Sequence, residues 1–425
     1  MSKLKSTFAA FVCASLLVGV SGVSAVTRTA TWVEGTKDLV DTQYGIAHSD
    51  DMKHVAIASW AVINLSDDGG ATWTELTPPG SMNFSYTWLS PTGSDLWFNS
   101  YSVNENGGLW KYGTDNVFNH VGVMPEEFPL PVWDFAVSRD QQHVFALDNV
   151  GNVWRSNDGA ATWNKLNQDF GRGVPRISPD NVLFISDSVN DGKLWRSTDW
   201  GDTLTPILTP PTGFGVGEVA SGNVSTTIIV NVLDWNIGTS SLKISYNNGN
   251  TWRDVTSNAF ESELWDFFVG VSKNGTQLVA AKERNVYLSN DAGATWSLQD
   301  SLTISNSVLG VAISPLGTQA MVQDQNNKLW QLDRRLPTKP LLRAPILSSK
   351  QAIIKWSVNS FGSAITKYEY CLSKCNLAKS WIKTKGAKAQ VTLTGLSKGK
   401  KYTIKVRATS QNGVGAVATK AFKSK

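Results

Sequence analysis

Ser289-Asn290-Asp291-Ala292-Gly293-Ala294-Thr295-Trp296 fits the pattern S-x-D-x-G-x-T-W, and so does Ser66-Asp67-Asp68-Gly69-Gly70-Ala71-Thr72-Trp73. Three relatives carry one change each: Ser156 to Trp163 has Ala160 for the glycine, Ser197 to Leu204 ends in Leu204, and Ser245 to Trp252 has Asn247 for the aspartate. An eroded copy runs from Tyr112 to Phe118. A further position is expected near Leu332, where Leu329-Trp330-Gln331-Leu332 keeps the run-in but the box is gone. The starts recur every ~44 residues, the spacing of one four-stranded propeller blade per repeat.

Each box has short apolar strands on either side, such as Asn152-Val153-Trp154-Arg155 before and Trp163-Asn164-Lys165-Leu166 after. The turn between them needs glycine for backbone freedom. It also needs an Asp or Asn oxygen to accept backbone N–H groups. The box therefore joins the third and fourth strands of a blade, with Asp68, Asp158, Asp199, Asn247 and Asp291 as turn acceptors. Trp73, Trp163, Trp252 and Trp296 are expected to bury against their own blades, at about 2–3 kcal/mol each. Ala30-Thr31-Trp32-Val33 looks like an outer strand without inner ones, and the last repeat has inner strands without an outer one. The N-terminal segment is thus expected to complete the last blade and remove a free sheet edge. The count is seven blades, or six if the repeat around Tyr112 is an insertion.

The pattern resembles the Asp-box (BNR) repeat of sialidases, sortilin-type receptors, xyloglucanase-type glycosidases and photosystem assembly propellers, over residues 26–336. The resemblance implies a β-propeller with the boxes on the face away from any active site.

Composition agrees with an all-β chain. Hydrophobic residues make up 41% of the 425, so a packed core forms and wholesale disorder is excluded. Only 17% are charged, while there are 35 Gly and 18 Trp, which argues against long charged helices and coiled coils. Lys3 and Lys5, the apolar run Phe8 to Val20 and the small residues Val23-Ser24-Ala25 read as a signal peptide over residues 1–25. The run is too short to span a bilayer of ~30 Å as a helix. The mature chain is expected to start near Val26 and to be secreted or displayed on the cell surface. Cys371 and Cys375 then form an even pair, read as one local disulfide. The alternative is half of a metal site, but no His follows His143, and no metal or other cofactor is expected.

Beyond Leu336 the texture changes. Pro337, Pro340 and Pro345 suggest a linker over 337–345. Ile353-Ile354-Lys355-Trp356 and Ile365-Thr366-Lys367-Tyr368-Glu369-Tyr370 alternate as strands do. With Trp356 on the second strand, Leu396 and Tyr402 spaced as in a tyrosine corner and an Asn412-Gly413 turn, residues 346–425 resemble a fibronectin type III domain. Lys398 stands where a proline is common in that family. Charge divides at the same place. From Pro337 to Lys425, 16 Lys and 2 Arg face the single acid Glu369, a net of +17, whereas residues 26–336 hold 19 basic and 34 acidic residues, a net of −15.

The functional face of the propeller is expected to lie at the loops between blades and between second and third strands. Those positions hold Trp60, Tyr101, Asp148, Asp187, Asp234, Trp235, Glu283, Arg284 and Asp324, and the inner-strand starts add Tyr86, Trp133, Asp134, Trp265 and Asp266. Trp faces beside carboxylates suit sugars, which makes Trp60, Tyr101, Trp133, Trp235 and Trp265 ligand-binding candidates. The plain alternative is that the Asp residues shape turns and the Trp residues fill the core. Trp133-Asp134-Phe135 and Trp265-Asp266-Phe267 share one sequence, so Asp134 and Asp266 are the carboxylates for any glycosidic chemistry.

A sialidase would need three clamping arginines and an arginine-isoleucine-proline signature. Pro175-Arg176-Ile177-Ser178 has the order wrong. No G-x-S-x-G, phosphate loop or metal cluster occurs. The expectation is an extracellular binding or adhesion protein. Its propeller contacts glycan or envelope material, and its basic domain holds anionic polymers, nucleic acid entering only as a non-specific polyanion. The alternatives are a secreted hydrolase of a neutral glycan and an extracytoplasmic assembly scaffold.

Overall fold

The computed structural model describes residues 32–425 other than 36–38, 40–44, 60, 80–83, 103–106, 122–123, 169, 190–191, 223–225, 256–261, 264–266, 300–301, 361–363, 374, 376–379, 385–387 and 411. The segment read as a signal peptide, Trp60, Trp265 and Asp266 lie outside the described residues.

The chain is all-β. Between Trp32 and Asp333 the described strands form seven antiparallel sheets of four strands, one of them carrying a fifth short strand. The sheets follow one another around a β-propeller, each running from its innermost strand outward. Asp134–Val137, Val144–Leu147, Val153–Ser156 and Asn164–Lys165 make one such sheet. The segment around Tyr112 is a sheet of its own, Phe84–Leu89, Leu96–Ser100, Gly108–Tyr112 and Phe118–Val121.

The last sheet is built from both ends of the propeller chain. Val308–Ile313, Gln319–Asp324 and Leu329–Asp333 supply its inner strands, and Trp32–Glu34 pairs outside them with Trp32 opposite Leu332 and Glu34 opposite Trp330. Trp32 is buried with Val286, Leu288, Trp330 and Leu332. On the inner side, Gly45 N–H donates to Leu309 O at 3.1 Å. The strands come so close there that a Cβ on Gly310 would lie 3.1 Å from the Cα of Gly45.

The box turns share one hydrogen-bond set. At Asp158, Oδ1 accepts the Thr162 N–H at 2.9 Å, Oδ2 accepts the Thr162 hydroxyl at 2.6 Å, and the Ser156 hydroxyl donates to Oδ1 at 2.7 Å. Asp68, Asp199 and Asp291 repeat this arrangement. Asn247 keeps it with an amide, accepting the Thr251 N–H and donating to the Thr251 hydroxyl, both at 2.9 Å.

The box tryptophans pack against their own sheets and also reach further. Each fills the seam with the preceding sheet. Trp163 is buried in the cluster that holds Trp97 and Leu109, Trp252 donates to Ile207 O at 2.8 Å, and Trp73 shares a cluster with Met321 and Leu329. Trp296 packs in the cluster of Leu242 and Ile244. The reason is the left-handed turn before each Trp: Gly293 (φ 82°) brings its Cα so near the neighbouring sheet that a Cβ would meet Ile244 at 3.0 Å. The box staples blade to blade.

The C-terminal domain is a two-sheet sandwich. Gln351–Ser357 pairs with Leu341–Leu342, Ile346–Ser348 and Gln390–Thr394, so the segment read as linker supplies one short strand, Leu341–Leu342. Ile382–Lys383, Ile365–Leu372, Lys401–Ser410 and Ala418–Lys423 form the facing sheet, extended by Gly413–Val414. Trp356, Tyr368, Leu396, Ile404, Val406 and Phe422 lie in the core between them. The Tyr402 hydroxyl oxygen accepts the Ser397 N–H at 2.9 Å, which is the tyrosine corner. Cys371 and Cys375 are joined by a disulfide. Asn412 Nδ2 donates to Asp333 O and Arg335 O at 2.9 and 3.1 Å, tying this domain to the end of the propeller. No helix among the described residues is long and apolar enough to cross a membrane.

Candidate functional site

Inner strands start near one end of the central channel, so side chains from neighbouring sheets converge there. Tyr86, Asp134, Arg176 and Glu218 come from the inner strands of four consecutive sheets. With Trp88, Phe268 and the bare backbone at Gly45 and Gly310 they line a cavity of about 230 Å³.

Arg176 organises the polar groups. Its Nη1 donates to Asp134 Oδ2 at 2.9 Å, and its Nε and Nη2 both donate to Glu218, each at 3.2 Å. One guanidinium thus holds two carboxylates, monodentate on one side and bidentate on the other. Asp134 is buried, and its Oδ1 also accepts the Phe135 N–H at 2.7 Å. Burial pushes its carboxyl above the usual range, against the pull of Arg176. The Tyr86 hydroxyl is pushed far up by burial and then by the Asp134 charge. Arg176 remains a cation because Asp134 and Glu218 outweigh its burial.

Just outside this network stand the aromatics. Tyr101 meets Trp133 edge-on with ring centroids 5.4 Å apart, and the Arg172 guanidinium lies 4.7 Å over the Trp133 ring. The Trp133 indole nitrogen is buried without a hydrogen-bond partner. Trp235 is placed differently: its indole donates to Ser188 O at 3.1 Å, bridging to a loop of the preceding sheet.

Several acidic candidates form turns. Asp148 accepts the N–H groups of Val150 and Asn152, and its Oδ2 accepts the Trp154 indole at 2.9 Å. Asp324 does the same for Asn326, Lys328 and the Trp330 indole. Asp234 accepts the Asn236 N–H, and Asp187 accepts those of Arg172 and Val189. Glu283, with φ 51°, and Arg284 make the exposed turn before Asn285–Ser289. Asp266 lies outside the described residues, so the carboxylate that the described channel sets beside Asp134 is Glu218. Sequence reasoning missed Glu218. Its signal was a lone acid inside the apolar strand Phe214–Ser221.

A second cavity of about 240 Å³ is lined by Val219, Val271, Val311 and Ile313 together with His48, Ser178 and Ser221, and shares Arg176 with the first. Burial holds the His48 imidazole below its ordinary pKa. Among the described residues no cluster of three or more His, Cys, Asp or Glu could hold a metal ion.

Comparison with known proteins matches residues 337–423 to the fibronectin type III domain. No curated protein matches the chain. Solved structures of similar fold include YCF48 from Cyanidioschyzon merolae, 14% identical over 72% of this chain and 99% of that one with a TM-score of 0.55. A GH74 xyloglucanase from Xanthomonas campestris is 15% identical over 77% of this chain and 59% of its own, with a TM-score of 0.55. An oligogalacturonate lyase in complex with manganese is 11% identical over 72% and 96%, with a TM-score of 0.52. At such identities the likeness is one of fold.

Proposed function

We propose that this chain is an extracellular binding protein whose propeller takes a glycan at the channel mouth and whose basic C-terminal domain anchors it to anionic material. The observation that carries the reading is the Tyr101–Trp133 pair adjoining Asp134, whose network with Arg176 and Glu218 lines a cavity together with Tyr86 and Trp88. Sugars need both parts: an apolar ring face to stack on and charged acceptors and donors for hydroxyls. Trp60 and Trp265 belong to the proposed face by their sequence positions, whereas Trp235 has its indole committed to Ser188.

A glycan array probed with wild type and with Trp133→Ala tests the reading. Binding by wild type that is lost in the variant supports it. Absence of binding by wild type, or equal binding by both, removes it.

Hydrolysis of a neutral glycan is the second reading, favoured by the raised carboxyl of Asp134 facing Glu218 across Arg176. One protonated and one ionised carboxyl are what glycosidic cleavage uses. Against it, Arg176 is bound to both, which favours ionised, immobile carboxylates. Release of reducing sugar by wild type that vanishes in Asp134→Asn would decide for the enzyme.

A further inference from the structure

The positive charge of the C-terminal domain is unevenly placed. Strand pairing puts Tyr402, Ile404, Val406 and Ala408 of Lys401–Ser410 toward the core, so Lys401, Lys405 and Arg407 point outward. Lys423 is directly opposite Lys401, and Glu369 is directly opposite both Arg407 and Lys383. The outer face of this sheet thereby gathers Lys367, Lys383, Lys401, Lys405, Arg407 and Lys423. The outer face of the other sheet carries Lys355, Arg343, whose N–H donates to Lys355 O, and Lys388 among Ile353, Gln390, Thr392 and Thr394.

The single acid of the domain does not neutralise this face. Glu369 is buried between Lys367 Nζ at 3.1 Å and Arg407 Nε at 2.9 Å. Lys401, Lys405 and Lys423 have no ion-pair partner among the described residues. Like charges directly opposite on a sheet are destabilising, by roughly 0.2–1 kcal/mol. Lys401 and Lys423 form such a pair about 5 Å apart, and Lys405 follows ~13 Å along the strand. Among the described residues this face is the denser in cations, and Lys401 and Lys423 stand on it as a directly opposed pair.

We infer that this outer sheet face, centred on Lys401, Lys405 and Lys423, is the docking surface for an extended anionic polysaccharide. The inference rests on the anchoring part of the proposed function and locates it. Lysines without bidentate arginine act as point charges and suit a polymer of repeating carboxylates or sulfates. Thr403, Thr419 and Ala421 lie between them, so among the described residues the stretch between these lysines offers no large apolar side chain to enter a bilayer. A nucleic acid would use exposed aromatic rings for its bases. The aromatic nearby, Trp381, is covered by Arg407 at 4.2 Å.

The test uses the whole chain and sodium polygalacturonate as probe. Binding is measured from about 50 mM to about 1 M salt, since screening falls from over 10 Å to ~3 Å across that range. Wild type is compared with Lys401→Gln/Lys405→Gln/Lys423→Gln and with Lys355→Gln/Lys388→Gln/Lys398→Gln, which removes the same charge elsewhere. The face variant should bind about a hundredfold more weakly at low salt, as expected for three lost charge contacts. The control should bind within about threefold of wild type, because its lysines lie off the face. Equal losses in both variants would show attraction to net charge, overturning the face while anchoring stands. No binding by wild type at low salt would overturn anchoring itself. Tighter binding of duplex DNA or phosphatidylserine vesicles than of the polyuronate would overturn the polysaccharide. Unchanged melting of both variants keeps these outcomes readable.

Discussion

The indole nitrogen of Trp32 donates to Oε1 of Gln299 at 3.1 Å. Trp32 belongs to the last sheet of the propeller by pairing, and Gln299 closes the outer strand Ser297–Leu298 of the sheet before it. One N-terminal side chain therefore joins two sheets whose other strands all lie at Phe268 or beyond in the chain.

Trp32→Ala should destabilise the propeller by about 3–5 kcal/mol, as for other buried aromatic truncations. Denaturant unfolding followed by tryptophan fluorescence measures it. A loss below about 1 kcal/mol would mean that Trp32–Glu34 covers an edge without holding the ring.

The box tryptophans should not be equivalent. Trp163 is 8% exposed in its seam, while Trp296 is half-buried. Trp163→Ala is expected to cost about 3–5 kcal/mol and Trp296→Ala about 2 kcal/mol, with ligand affinity below the melting transition unchanged in both. Equal costs would contradict the ranking by burial. Lost affinity in a folded variant would make the box part of a site.

The box carboxylates predict acid sensitivity with a definite sign. Hydrogen bonds from Thr162 and Thr203 hold Asp158 and Asp199 down to about 2 from an ordinary 3.8. A depressed folded-state value contributes stability above 3.8 that is lost as pH falls toward about 2. Asp158→Asn/Asp199→Asn should therefore show a flatter fall in melting temperature across that window and little change near neutrality, since Asn247 already holds the same turn. A double variant that follows the wild-type acid curve would refute this.

Removing Arg176 should do more harm than removing either carboxylate. Arg176→Leu leaves Asp134 and Glu218 facing each other without a cation, a loss of about 3 kcal/mol at neutral pH. Without Arg176 nothing offsets the burial that raises the Asp134 carboxyl, so the deficit shrinks as pH falls through its titration. Unfolding measured near pH 7 and near pH 4 checks both parts, and a deficit that grows in acid would disprove the account.

The repeat and the ends of the propeller were legible because each depends on local chemistry. A turn that needs Asp, Gly and Thr in fixed order writes itself into the sequence, and so does an outer strand without inner ones. The tyrosine corner was readable for the same reason, as the Ser397–Tyr402 bond spans five residues. The reach of each box tryptophan into the preceding sheet was not legible, since that seam is set by how neighbouring sheets twist together. Glu218 escaped because meeting Arg176 depends on strand depth in the channel, which no local pattern records. Asp148 and Asp324 look like site residues in isolation. Their role emerges only when the indoles of Trp154 and Trp330 are seen to need an acceptor.

The shared last sheet also imposes an order of events. Trp32–Glu34 precedes the other described strands of the propeller, yet its partner Leu329–Asp333 is made after all of them. Until then the ring is an open arc with two unpaired rims, the state in which β-rich chains are most prone to stick to one another. Closure joins strands at opposite ends of the propeller, the kind of distant pairing that slows folding. A chain moved across a membrane in the N-to-C direction would thus stay unlocked until Leu329–Asp333 had crossed, and only then snap shut.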